Sequence, residues 1–386
     1  MSDTTLDRIL KQCHSFVANP DSNYMDDIFA QKLKAFSNPA FNSEDQKKLC
    51  TYHHKLILTE VIPAYQELAD SLESLRGTGK SSRGLAFFEG GREYYLYLLQ
   101  SQTGTYVPVG QIEKRLSAQL LSDYREISSL LKQNSSLIDR LNQCSGELTL
   151  TPTQMLEKLP ELMKKDFPEL KDATYELRTV HPSMKKFLSP AFYLTPPVDT
   201  RTPNVIYIND SGHTSSLELF GTLAHEGFPG HLYQTVSFAE NNPSDIRYLV
   251  TSSGYVEGWA TYVESYGYEY AASLMNDPDS AKNAVRLAWL NRSMNLCIYS
   301  LIDIGIHYRG WDAARTAVFL KAFGINNAST AAEIYQYIVE TPGNYLKYYW
   351  GYLNFLDLKT VCQKRLGDDF DLKEFHRRIL DIGPVQ

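Results

Sequence analysis

Apolar residues recur three and four positions apart over long parts of this chain, a spacing that predicts amphipathic helices. Two such stretches run from Asp45 to Leu75, where Pro63 interrupts the pattern, and from Gln111 to Leu141. Each can turn an apolar stripe towards a core while its polar face meets water. The residues up to position 165 are therefore expected to form helices.

Three segments typical of strands follow, each rich in β-branched and aromatic residues and separated from the next by turns that contain proline. They are Tyr175 to Val180, Ala191 to Thr195 and Val205 to Asn209, and they predict a small sheet. From Leu217 onward the pattern is helical again, including a long helix from Asp279 to Tyr308. Later, Thr330 to Glu333 has the composition of a capping box, which predicts that a helix starts there.

A chain of 386 residues is long enough to bury a substantial core, as two lobes or as one domain. We expect a helical N-terminal lobe over residues 1–165 and a catalytic lobe over residues 166–386, or one continuous α-rich domain. The formal net charge of -7 argues against nucleic acid or an anionic membrane as a partner.

The cysteines and the chain start bear on the cellular compartment. Five cysteines are widely spaced and lack the paired spacing of metal-binding or disulfide-rich modules: Cys13, Cys50, Cys144, Cys297 and Cys362. We expect reduced thiols. The first residues form no basic and apolar signal segment, and no run of about 18 apolar residues occurs, so no membrane partner is expected. The predicted location is cytoplasmic for this chain alone, and extracytoplasmic if an upstream signal has been removed.

The segment from Thr222 to Gln234 holds two histidines and a glutamate in a pattern that indicates half of a zinc site. Imidazoles can hold the ion, an open position can hold water, and a neighbouring carboxylate can take the proton of that water. His225 and His231 supply the imidazoles, and Glu226 supplies the carboxylate. Six residues rotate an α-helix through roughly 240°, so a regular helix would not point both rings at one ion.

The Pro-Gly pair between the histidines is expected to distort the helix. Pro229 has no N–H for the carbonyl of His225, and Gly230 can adopt backbone angles closed to other residues. We expect a bulge that returns His231 to the metal-facing side, since bulges of this kind are common at functional sites. Taken by itself, the segment fits surface or core histidines equally well.

A second segment supplies two carboxylates. Glu257 and Glu264 are seven residues apart, and hence on one helix face, within an apolar and aromatic stretch. Buried carboxylates without partners are costly, so a metal ion or histidine partners would account for them. We take Glu257 as the third metal ligand, and we expect Glu264 to accept the N–H of a ligating imidazole.

Four runs of sequence together resemble the bacterial domain-of-unknown-function 885 family, which is grouped with the gluzincin metallopeptidases. They are His225 to His231, Glu257 to Ala260, Asp303 to Trp311 and Pro342 to Tyr348. The Glu-Gly-Trp-Ala run is similar to the Glu-Gly-Phe-Ala run of gluzincin aminopeptidases, in which the glutamate is a zinc ligand. Asn344 and Tyr345 depart from the family pattern, where glutamine and a small residue are expected.

The resemblance implies a fold. It would be mainly α, a zincin-like metallopeptidase with a small β-sheet beside a deep helical cleft. Gluzincins similar to this sequence lay an edge strand along the cleft, where an extended peptide can add through main-chain hydrogen bonds. Val205 to Asn209 is the best candidate for that strand, and an ordinary half-buried strand is the alternative.

Further candidates lie outside the metal-binding segments. An oxyanion formed at the attacked carbonyl needs a donor besides the metal, and Tyr348 and His307 are candidates because each can donate and each lies in a run that matches the family. For His307 the alternative is a capping or core histidine near the end of its helix. Asn209 and Arg309 are candidates for binding the main chain or a carboxylate of the substrate.

These residues predict a peptidase in which Zn²⁺ is held by His225, His231 and Glu257, and Glu226 is the general base. A metal-dependent amidase that acts on a non-peptide substrate would use the same groups. A non-catalytic peptide-binding protein of the same fold is a third possibility. The intact Glu226 argues against it, because a site without turnover has no need of a base.

Overall fold

A computed structural model describes residues 2–36, 42–79, 81–171, 173–212 and 214–385. The chain divides into two compact units, Met1–Phe87 and Phe88–Gln386. Helices predominate in both, and the second also contains a small sheet, which confirms the mainly α class with a small β-sheet. Within the described ranges, no helix is long and apolar enough to cross a membrane.

The first unit has four α-helices in its described residues. They are α1 (Asp3–Val17), α2 (Tyr24–Ala35), α3 (Ser43–Leu56) and α4 (Ile62–Glu73), and a π-helical turn, Ile57–Val61, joins α3 to α4. Pro63 is the second residue of α4 and has no N–H for the carbonyl of Thr59, which accounts for the interruption in this predicted stretch. The core of the unit joins residues of α1 and α4: Leu6, Leu10, Cys13 and Ala69.

The second unit contains the sheet and the remaining helices. Its elements in chain order are α5 (Gly91–Thr103), α6 (Val109–Gln133), α7 (Leu137–Glu147), α8 (Pro152–Met163), β1 (Tyr175–Thr179), β2 (Ala191–Leu194), β3 (Asn204–Ile208), α9 (Ser216–Glu226), α10 (His231–Glu240), α11 (Ile246–Leu249), α12 (Ser253–Ala272), α13 (Pro278–His307), α14 (Ala313–Lys321), α15 (Ala328–Glu340), α16 (Asn344–Leu366) and α17 (Leu372–Ile382).

The predicted division at residue 165 falls inside the second unit, between α8 and β1. Helices α6 and α7 precede that point and pack against α13, which follows it, so both sides of residue 165 share one compact unit. The single helix predicted from Gln111 to Leu141 is wrong, because α6 ends and α7 begins within it. The side chain of Asn134 accepts the N–H of Ser136 at the break, a local bond that competes with the helix.

Of two late helices predicted from the sequence, one lies where it was predicted and the other starts earlier than predicted. The predicted helix from Asp279 to Tyr308 is confirmed as α13. Helix α15 starts earlier than the predicted capping box, because Asn327 accepts the N–H of Thr330 and caps the helix there. Asparagine is among the preferred residues at this position, and Thr330 therefore lies in the first turn.

The sheet has the strand order β1-β3-β2, with β3 parallel to β1 and antiparallel to β2. The expectation that Val205 to Asn209 forms an edge strand is wrong, because β3 is paired on both sides. Its side chains Val205, Ile206 and Ile208 are buried, as befits a central strand. The edge strand on the side of α9 is β2, which packs against that helix.

Helix α12 packs closely against α16 through facing glycines. A Cβ added to Gly258 would lie 2.5 Å from the carbonyl carbon of Gly351, and one added to Gly351 would lie 2.1 Å from the oxygen of Gly254. Both distances are far below van der Waals contact, so the two backbones touch. This contact fixes α12, which carries Glu257, relative to α16, which carries Tyr348.

We expect Gly351→Ala to force α12 and α16 apart and to destabilise the second unit by about 1–3 kcal/mol, the usual cost of overpacking. Chemical denaturation would measure this loss. Gly146→Ala in α7 is the matched control, since a Cβ there meets nothing within 4 Å. Equal stability of the two variants would contradict the close approach.

Candidate metal centre

The chain is broken between the two histidines. Helix α9 ends at Glu226 and α10 begins at His231, so the predicted bulge within one helix is instead a full break. A Cβ on Gly230 would lie 1.8 Å from the carbonyl oxygen of His225, and only glycine allows the backbone to pass so close. The tight turn brings His231 back to the side of α9 that carries His225.

An indole from α12 holds this turn in place. Trp259 is fully buried, and its Nε1 donates a hydrogen bond to the carbonyl oxygen of Pro229 at 2.9 Å. Phe167 and His376 meet its ring edge-on at 6.0 and 5.7 Å between centroids. The helix that carries the two candidate carboxylates therefore also fixes the turn between the histidines.

Two imidazoles and one carboxylate converge at the predicted metal position. The Nε2 atoms of His225 and His231 lie 3.7 and 3.3 Å from Oε2 of Glu257. The two rings are perpendicular, with centroids 4.8 Å apart. Zn²⁺ binds its ligands at about 2.0–2.2 Å in tetrahedral geometry, which keeps donor atoms roughly 3.3 Å apart. The nitrogen and oxygen donors and their spacing fit this ion.

Glu226 lies close enough to compete with Glu257 as a ligand. Its carboxylate and the two imidazoles place one donor atom each within 4.8 Å of one another. However, Oε2 of Glu226 accepts the N–H of Tyr193 from β2 at 2.9 Å, which holds the carboxylate towards the strand. Glu257 instead directs one oxygen at both imidazoles, so its position fits a third ligand, and the position of Glu226 fits a neighbouring base.

Glu264 lies where the sequence suggested, behind His225. Its Oε2 is 3.3 Å from Nδ1 of His225, and its Oε1 accepts the Nε–H of Arg292 at 2.9 Å. Only 5% of the Glu264 side chain is exposed. A carboxylate in this position fixes the orientation of the ring and makes its other nitrogen a better ligand.

The opposite charges of these groups stabilise one another and shift their pKa values. Burial alone would lower the pKa of His225, but the carboxylates of Glu257 and Glu264 outweigh it and raise the pKa to about 10. Burial would raise the pKa of Glu257, yet the two histidines hold it well below its usual range. The pKa of Glu264 is likewise lowered, to about 2, because the positive charges of Arg292 and His225 outweigh its burial. Glu257 and Glu264 are thus held in their ionised form, and the positive charges of His225 and Arg292 balance them.

Helix α16 brings two more side chains to the centre. The ring of Tyr348 stacks beside that of His225, with centroids 6.2 Å apart. Burial, reinforced by the negative charge of Glu257, raises the pKa of Tyr348 far above neutrality, so its hydroxyl stays a donor. Lys347 places its Nζ 3.6 Å from Oε1 of Glu257 and 5.1 Å from the centre of the Tyr348 ring.

Three residues that the sequence analysis proposed for the site lie away from the metal centre. His307 is fully buried, its Nε2 is 2.8 Å from the carbonyl oxygen of Ile338, and burial lowers its pKa to about 4. Arg309 pairs with Glu113. The amide of Asn209 donates to two carbonyl oxygens of the loop before β2. None of the three lines the cleft, so the core alternative describes His307, and the structure brings none of these groups to the centre.

The centre borders a cleft of about 1040 Å³ in the second unit, which His225, Glu226 and Tyr348 help to line. Helices α6 and α7 form an apolar wall: Ile127, Leu131, Ile138 and Leu141. Helices α13 and α16 form a polar wall: Asn291, Arg292, Asn295, Asn344, Tyr345 and Tyr348. Arg292 and Lys347 were not found by sequence reasoning, because no local pattern separates them from other cations of their helices.

Comparisons with known proteins place the chain in a family and a fold. The family model described as "Bacterial protein of unknown function (DUF885)" matches residues 1–385. A crystal structure from Colwellia psychrerythraea is similar, with a TM-score of 0.83 and 20% identity over 100% of this chain and 68% of that chain. A solved structure from Shewanella oneidensis has a TM-score of 0.61 and 17% identity over 93% of this chain and 68% of that chain. Both are described as a "putative lipoprotein", the second of unknown function, and no curated protein matches the chain.

We expect His231→Ala to lose zinc, because it removes one of two imidazoles while Glu257 and His225 remain. After dialysis of zinc-loaded protein, elemental analysis should find about one ion per parent chain and far less in the variant. His181→Ala is the control, since this histidine lies outside the cleft in the same unit. Full occupancy in the His231 variant would remove this residue from the ligand set.

Proposed function

Because this chain belongs to the DUF885 family of bacterial proteins of unknown function, its chemistry has to be inferred from the site, and we propose that it is a zinc-dependent peptidase. One observation carries the proposal. The donor atoms of His225, His231 and Glu257 are spaced for a tetrahedral ion beside a cleft, with the carboxylate of Glu226 next to them. Three protein ligands and one open position are the arrangement of catalytic zinc sites.

The proposal includes a gluzincin-type active site. Glu226 directly follows the ligand His225 on α9, and Glu257, the third ligand, comes from α12, a later helix. Packing of α9 against α12 brings the ligands together. The descriptions of the two similar structures also favour the extracytoplasmic location over the cytoplasmic one.

Zinc, when bound, would polarise the scissile carbonyl and lower the pKa of a water molecule towards neutrality, to about 7 in known sites. Glu226 would take the proton of the attacking water and pass it to the leaving amine. The main-chain N–H of Tyr193 orients the Glu226 carboxylate through Oε2, which leaves Oε1 for the proton.

The oxyanion that forms during attack needs a donor. Tyr348 is the first candidate, because its ring lies beside His225 and its hydroxyl remains protonated at neutral pH. The ammonium group of Lys347 lies over the Tyr348 ring, so its positive charge would add to the stabilisation of a negatively charged oxygen there. His307 is not a candidate, since its Nε2 is committed to a carbonyl in the core.

The free edge of β2 favours a peptide over other amides. The N–H of Tyr193 reaches Glu226, so it points away from β3 and towards the centre. Ala191, at the start of the same strand, lines the cleft together with Ser189 and Pro190. An extended peptide could add along this edge through main-chain hydrogen bonds, and its carbonyl would then pass close to Glu226.

We expect Glu226→Gln to keep zinc and to lose turnover by about 10²–10⁴-fold, because the amide fills the same space but cannot carry the proton. Digestion of a mixed peptide library by zinc-loaded protein identifies a substrate, and initial rates on that peptide measure the loss. Glu218→Gln is the control, since Glu218 lies on α9 and lines the same cleft. No cleavage of any peptide by the zinc-loaded parent would count against the peptidase itself.

We expect Tyr348→Phe to lower kcat and kcat/KM together by about 10²–10³-fold with KM nearly unchanged, because the hydroxyl acts mainly on the transition state. Steady-state kinetics on the library substrate would test this. Tyr345→Phe, on the same helix and in the same cleft, should stay near the parent. If both variants match the parent, the donor is another group.

A further inference from the structure

Arg292 is the arginine in the lining of the cleft, and Lys347, the lysine at the centre, already lies beside Glu257. Its side chain is 43% exposed, whereas Glu264, its partner, is 5% exposed. The other charged groups of the lining are His225 and three carboxylates, Glu218, Glu226 and Glu264. A single guanidinium group in such a wall marks one place where an anion can bind.

The hydrogen bonds of Arg292 leave most of its donors unused. Glu264 accepts from Nε, and neither Nη1 nor Nη2 bonds to another residue in the part of the chain that the structure describes. Arg286, six residues earlier on α13, is different: Glu126 accepts from both its Nε and its Nη2, at 2.7 and 2.9 Å. Arg286 thus has the two-pronged pairing of a structural arginine, and Arg292 does not.

The position of Arg292 relates it to the metal centre. Only the carboxylate of Glu264 and the ring of His225 separate its Nε from the proposed ion, through contacts of 2.9 and 3.3 Å. Glu264 offsets part of the guanidinium charge, so the attraction for a ligand comes mainly from the directed N–H groups. The planar fork of arginine matches the two oxygens of a carboxylate.

We propose that Arg292 binds a carboxylate of the substrate through Nη1 and Nη2, beside the scissile amide. This inference rests on the proposed peptidase function and narrows its substrates to peptides that carry a carboxylate near the cleaved bond. The carboxylate is that of the chain end or that of an acidic side chain. A chain-end carboxylate makes the protein a carboxypeptidase, because the end of the peptide then lies in the cleft.

The test uses synthetic ligands that bind zinc without being cleaved. Each carries a hydroxamate at one end and one or two amino-acid residues beyond it. Three forms of each are compared: a C-terminal carboxylate, a C-terminal carboxamide, and a carboxamide with an aspartate side chain. Titration calorimetry on zinc-loaded parent, Arg292→Gln and Arg286→Gln gives the dissociation constants. Zinc content is measured for every variant.

We expect loss of the carboxylate to raise Kd by about 10–100-fold in the parent and in Arg286→Gln, the range for hydrogen bonds to charged groups. In Arg292→Gln the same change should raise Kd by less than about threefold. Whichever carboxylate form binds tightly identifies the source. The inference would be overturned if the ratio of the carboxamide Kd to the carboxylate Kd were the same in the parent and in Arg292→Gln. It would also be overturned if the parent bound both forms equally. If Arg292 serves only to hold Glu264, the variant weakens all three forms by one factor.

Arg292→Lys is measured alongside in case the glutamine variant does not fold or bind zinc. Lysine keeps the charge opposite Glu264 but cannot form a two-pronged bond, so the ratio between carboxylate and carboxamide should fall by severalfold. An unchanged ratio in this variant would also overturn the inference. Failure of the peptidase proposal is distinguishable. If the carboxylate ligands bind more tightly but no peptide is cleaved, the proposed reaction is wrong and the carboxylate site stands. If peptides are cleaved but carboxylate and carboxamide ligands bind equally, the carboxylate site is wrong and the proposed reaction stands.

Discussion

Negative charge enclosed on one helix is the constraint around which the second unit is arranged. Glu257 and Glu264 both belong to α12, and only 19% and 5% of their side chains are exposed. Enclosed carboxylates are tolerated when other groups neutralise them. Each has such partners: His225 and His231 meet Glu257, and Arg292 with His225 meets Glu264. A divalent cation held between these groups would replace the proton that the ring of His225 otherwise carries.

The helix packing serves this arrangement. Facing glycines bring α12 and α16 into backbone contact, and α9 packs on another side of α12. One helix therefore carries Glu257, orients the ring of His225 through Glu264, and anchors the turn before His231 through Trp259. Because the same element sets all three positions, a shift of α12 would disturb the whole site and not one ligand alone.

Local patterns predicted what depends on local geometry. The period of apolar residues located α13, and the β-branched runs located the three strands. The spacing of His225, Glu226 and His231 located a segment whose side chains converge. Partners distant in sequence were not predictable. Strand order depends on which strands pair, so β3 was mistaken for an edge. His307 lies in a run that matches the family, but its ring is committed to the core carbonyl of Ile338. Arg292 and Arg286 look alike in sequence and differ only in the partners that folding gives them.

The indole of Trp259 ties two separate parts of the sequence motif together. Its N–H satisfies the carbonyl of Pro229, a group that exists in this position only because two residues are inserted between the histidines. Phenylalanine is smaller and has no N–H, so it would leave that carbonyl without a donor in a buried place. The turn and the tryptophan therefore depend on each other: the turn between the histidines provides the acceptor at Pro229, and the indole N–H is the donor that satisfies it.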